Sequence, residues 1–131
     1  MTIEQILKTT NRIAVVGLSN DPARDSYQIA SYLQKHGYTI IPVNPKETQI
    51  LGEKAYPDLK SIPGKVDLVN IFRKPEAVPG IVGEAIQIGA KSVWMQLGVS
   101  HFEAAEKAKK AGLEVVMDRC IATEHRQISW K

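Results

Sequence analysis

The sequence predicts a Rossmann-like, doubly wound α/β fold, a parallel sheet of about five strands with helices on both faces. Three observations predict it. Short β-branched runs alternate with longer amphipathic stretches along the chain, the pattern of βαβ units. The strand-like runs are apolar throughout, as strands covered on both faces are. Right-handed crossovers between such strands then lead to this one architecture. The 131 residues suit a single domain, residues 1–131, large enough to enclose a core without disulfides or structural metals.

The elements follow in order. Thr2 and Gln5 form a capping box for a short helix running to Thr10. Ile13 to Gly17 is the first buried strand. Asp25 or Ser26 can cap the next helix, whose Ile29, Ala30 and Leu33 fall at helical spacing, and His36-Gly37 ends it with a left-handed glycine. Tyr38 to Val43 is the second strand, with Pro42 expected at its end. A connection from Asn44 to Gly64 carries turn residues and a short helical turn at Asp58–Ile62. Val66 to Phe72 is the third strand. A helix from about Pro75 to Ile88 tolerates Pro79 only near its first turn. Lys91 to Gln96 is the fourth strand and His101–Ala111 a helix with Glu103–Lys107 and Glu106–Lys110 pairs on its wet face. Glu114 to Met117 is the fifth strand, and Cys120 to about Ile128 the last helix.

Composition removes several function classes. The chain is 44% hydrophobic and 24% charged, an ordinary globular balance with no apolar run long enough to cross a membrane. Its 17 Lys+Arg against 14 Asp+Glu give +3, with bases and acids interspersed, so nucleic-acid binding is not expected. A single cysteine excludes an internal disulfide and any CxxC site. The start Met1-Thr2-Ile3-Glu4 lacks a signal pattern, and a cytoplasmic location is expected. His36, His101 and His125 are scattered and read as surface or partly buried residues.

Function should lie in the loops at the carboxyl ends of the strands. After the first strand, Gly17 permits a tight turn, and the following helix offers free amides to an anion. Ser19 and Pro22 stand where a dinucleotide fingerprint has its second and third glycines, and no Gly-Lys-Ser/Thr is present. Ser19, Arg24 and Ser26 supply side-chain donors instead, or simply make a polar turn. After the second strand, Asn44 and Lys46 stand where an NAD enzyme has an acid, which suits a phosphorylated ribose. Arg73 and Lys74 flank a helix start, either awaiting an anion or offset by Glu76. Gln96 ends the fourth strand. Cys120 opens the last helix beside Arg119, where a thiolate is favoured, or else serves as a small packing residue.

The stretches IAVVGLSNDPARDSYQIASYLQKHGYTIIPVNP, VDLVNIFRKPE, SVWMQLG and DRC together resemble the CoA-binding domain family of small bacterial and archaeal proteins. They are also similar to the N-terminal domain of the succinyl-CoA synthetase α subunit. The resemblance implies that the ligand is coenzyme A or an acyl-CoA. Gly17, Ser19, Arg24 and Ser26 would lie along its phosphates, and Val43, Asn44, Pro45 and Lys46 would flank the adenosine and its 3′-phosphate. Phe72, Arg73 and Pro75 would close over the nucleotide, and Gln96 with Gly98 would border the pantetheine path. The synthetase's phosphorylated histidine belongs to a second domain, so non-catalytic binding is the expectation, with Cys120 a thiol contact for a CoA store or redox sensor. A small NADP-dependent oxidoreductase and a partner-docking module with a vestigial crevice stand as alternatives.

Overall fold

The computed structural model describes residues 1–130. Its centre is a five-stranded sheet in the order β2-β1-β5-β6-β7, every pairing parallel. The strands are β1 (Arg12–Val16), β2 (Thr39–Val43), β5 (Leu68–Ile71), β6 (Ser92–Met95) and β7 (Glu114–Val116). A separate two-stranded hairpin, β3 (Gln49–Ile50) with β4 (Glu53–Lys54), lies in the connection after β2. The fold class is as the sequence predicts.

The alternation of side chains divides the core in two. Ile13, Val15, Leu68 and Trp94 face α1 (Ile3–Thr9), α2 (Asp25–Lys35) and α5 (Ile121–Arg126). Ala14, Val16, Val69, Ile71, Val93 and Met95 face α3 (Val78–Gln87), α4 (Phe102–Lys110) and a 3₁₀ turn at Leu59–Ser61. Helices therefore cover both faces, and the direction of winding reverses between the neighbours β1 and β5.

Several elements form for the reasons their residues suggest. The Thr2–Gln5 capping box is complete, with Thr2 N–H donating to Gln5 Oε1 at 2.8 Å and Gln5 N–H to Thr2 Oγ1 at 3.1 Å. Gly37 has φ +96 after the end of α2. Pro79 is the second residue of α3, where its missing N–H costs nothing, and a 3₁₀ turn at Pro75–Ala77 precedes it.

Three expectations need correction. Pro42 stands within the ladder, paired with Val15, and is tolerated because β2 is an edge strand. The Asn44–Gly64 connection contains the β3–β4 hairpin, turned by Leu51 and Gly52 at φ 56 and 76. Neither Asp25 nor Ser26 caps α2: the N-cap is Arg24, which makes no side-chain cap bond. Among the described residues, no helix is long and apolar enough to cross a membrane.

Candidate functional site

Gly17 follows β1 with φ +87. A Cβ there would stand 2.5 Å from the Phe72 carbonyl oxygen and 2.8 Å from Arg73 Cδ. The loops after β1 and β5 thus approach as closely as glycine alone allows. At this reversal point opens a cavity of about 470 Å³, bordered by Gly17, Ser19, Arg24, Asp25, Ser26 and Phe72.

The wall of this cavity is rich in donors. Ser19 N–H donates to Ser26 Oγ at 3.0 Å, and Asp21 N–H donates to Ser19 Oγ at 3.0 Å. Both hydroxyls are fixed in place, yet each retains its own proton to give. The first-turn amides of α2 have no capping side chain, so they stand ready for an acceptor from outside. Arg24 is exposed at the rim and forms no ion pair among the described residues.

The loop after β2 borders the same edge of the sheet. Val43 is buried, and its carbonyl receives the Gly17 N–H at 3.0 Å. Asn44 works as a brace: its Nδ2 donates to the Leu18 carbonyl at 3.0 Å, and its Oδ1 accepts the Lys46 N–H at 2.9 Å. The Lys46 side chain is exposed. A smaller cavity of about 160 Å³ lies on the α3 face, between Val16, Val43, Pro45, Leu59, Arg73 and Ile81. Arg73 therefore stands between the two cavities, its stem across Gly17. No ion pair joins Glu76 to Arg73 or Lys74 among the described residues. Pro75 is exposed and opens the 3₁₀ turn.

Gln96 and Gly98 are engaged in holding the loop that carries Cys120. Gln96 is buried and its Oε1 accepts the Ile121 N–H at 3.3 Å, while Gly98 N–H donates to Asp118 Oδ1 at 2.7 Å. Trp94 adds an indole bond to the Arg119 carbonyl at 2.8 Å. Cys120 is the N-cap of α5 and half-buried. Burial pushes its thiol up, but hydrogen bonds from the Thr123 hydroxyl and backbone, the Gln96 side chain and the Ala122 N–H outweigh it. The thiol is held below its ordinary value. The ladder ends at Ile71–Met95, and the next amide, Gln96 N–H, donates to the Ile71 carbonyl at 3.3 Å. Phe72 and Gln96 therefore leave adjacent strands at one sheet edge, with Cys120 bonded to Gln96 beyond them. Two strand spacings make the crossing of that edge roughly 10 Å.

The histidines are less scattered than expected. His101 caps α4, its Nδ1 accepting the Ala104 N–H at 3.1 Å. His36 and His125 meet with ring centroids 5.0 Å apart, and the Tyr32 hydroxyl lies 2.7 Å from His125 Nδ1. One residue of interest escapes the sequence reasoning. Asn70 of β5 is fully buried, and neither Nδ2 nor Oδ1 has a hydrogen-bond partner among the described residues. The available signal was an amide in the otherwise apolar run Leu68-Val69-Asn70-Ile71.

Fold and cavity together define a Rossmann-like α/β domain with a donor-lined site at the reversal of its sheet. The chain belongs to the CoA binding domain family, whose model matches residues 11–126. It is similar to the uncharacterized protein YneT of Bacillus subtilis (strain 168), at 44% identity over 94% of this chain and 91% of the relative. A solved structure of a hypothetical protein from Pyrococcus horikoshii OT3 superposes with TM-score 0.92 at 42% identity, covering 97% of this chain and 92% of the other. The α subunit of ADP-forming acetate–CoA ligase II from Pyrococcus furiosus is 35% identical over 79% of this chain, but the match spans only 23% of that subunit.

Proposed function

We propose that this domain binds coenzyme A or an acyl-CoA along the carboxyl edge of its sheet. The observation that carries the reading is the cavity at Gly17, where uncapped α2 amides, two fixed serine hydroxyls and Arg24 converge. That donor set suits a diphosphate. The small cavity beside Val43 and Pro45 suits an adenine, and the exposed Lys46, next along the chain from Pro45, suits the 3′-phosphate. Membership of the CoA-binding domain family and likeness to part of an acetate–CoA ligase subunit support the same ligand.

The depressed thiol of Cys120 extends the proposal to a CoA store or redox sensor. The Cys120 thiolate attacks one sulfur of a CoA disulfide, the S–S bond breaks, and one CoA leaves as its thiolate. The other stays as a mixed disulfide with the protein, with no further oxidant required.

Native mass spectrometry with CoA, NADP and NAD tests both parts. Selective CoA binding supports the reading, and tight NADP binding without a CoA response overturns it. With CoA disulfide, an adduct that disappears on dithiothreitol treatment and in Cys120→Ser is expected. An adduct retained in Cys120→Ser would refute the redox part alone.

A further inference from the structure

Asn70 is the one fully buried polar side chain whose atoms are all unpartnered among the described residues. A carboxamide without a protein partner weakens the fold unless another group completes its two donors and its acceptor. Its neighbours in register are Val15 and Trp94, both apolar on the facing side. In native proteins such a group marks strain, a functional role or a bound water, ion or ligand that completes it.

The position is informative. Asn70 points to the α2–α5 face of the sheet, the face on which the large cavity opens. The next residue on that face towards the cavity is Phe72, which is half-buried and lines it. Gly17 lies on one side of Phe72, and Gln96 with Cys120 on the other. Resting on the reading above, a CoA with its diphosphate at Gly17 and its thiol near Cys120 must lay its pantetheine arm across β5. That arm carries two secondary amides, which offer an N–H for Asn70 Oδ1 and a carbonyl for Asn70 Nδ2.

We propose that Asn70 is a specificity residue that hydrogen-bonds an amide of the pantetheine arm once the Phe72 ring has turned aside. It would distinguish CoA from nucleotides that share only its phosphorylated half.

The test compares CoA with 3′-phospho-ADP, its nucleotide half, on wild-type protein and Asn70→Leu. Leucine keeps the branching and the number of side-chain heavy atoms and removes the orphaned polar atoms. The variant should bind CoA about tenfold more weakly, bind 3′-phospho-ADP as before, and melt at a higher temperature. An unchanged CoA affinity, or an equal loss for both ligands, would overturn the proposal. If wild-type protein binds neither ligand, the CoA reading itself fails. In ¹⁵N-labelled wild-type protein, the Asn70 carboxamide signals should move with CoA and stay put with 3′-phospho-ADP. That measurement decides the matter should Asn70→Leu not fold, and signals that respond to neither ligand or to both alike would refute the proposal.

Discussion

Gly17 illustrates how a single missing side chain builds a site. A methyl group there meets the Phe72 carbonyl at 2.5 Å and forces a left-handed backbone on an L-residue. Gly17→Ala should lower the unfolding free energy by roughly 2–3 kcal/mol, as urea denaturation would show; an unchanged midpoint would mean the β1 and β5 loops separate freely. Lys46 acts in the opposite way, through an exposed charge on a braced backbone. Lys46→Ala should weaken CoA about two- to tenfold and leave 3′-dephospho-CoA unaltered. Calorimetric titration of both ligands reads the ratio, and a constant ratio would remove Lys46 from the 3′-phosphate.

Helix α5 and the loop before it are held from two sides. Trp94, Gln96 and Gly98 secure the loop, and Trp94→Phe keeps most of the ring while leaving the Arg119 carbonyl without its donor. The expected cost is about 1–3 kcal/mol, measured as the shift in denaturation midpoint. Towards its far end, α5 presents His125 to Tyr32 and His36 of the α2 segment and to Tyr38. Burial, then the charges of His36 and Arg126, hold His125 below its ordinary 6.5. The unfolded chain therefore takes up this proton first. The contribution to stability is fully present above about pH 6.5 and is lost as pH falls through the depressed folded value. Thermal melts between about pH 7.5 and pH 5 should show that decline, and His125→Gln should flatten it.

The two cavities lie on opposite faces of one sheet, so a ligand filling both would clamp α2 and α3 to the same strand ends. Binding to the folded state alone raises stability, by about 2.7 kcal/mol at a hundred times Kd. A melting temperature that climbs with CoA and stays level with NAD is the expected result in a thermal-shift titration. A level response to CoA across millimolar concentrations would argue against the clamp.

Much of this was legible in the order of residues. Runs such as Ile13-Ala14-Val15-Val16 can be stable only if covered on both faces, which dictates a parallel sheet between helix layers. Thr2 with Gln5, Gly37 and Pro79 act within a turn or two of themselves, so local chemistry alone places them. Gly17 and the polar residues of its loop are legible for the same reason, because a tight turn and its donors are local features. Folding in three dimensions decided what depends on distant partners: the β1–β5 neighbourhood, the approach of Gly17 to Phe72, and the diversion of Ser26 from helix cap to loop brace. It also joined His36 to His125 and left Asn70 without a partner. The physical reason is common to all of these. Such contacts join segments tens of residues apart, and they are set by the simultaneous packing of every layer, which no local pattern records.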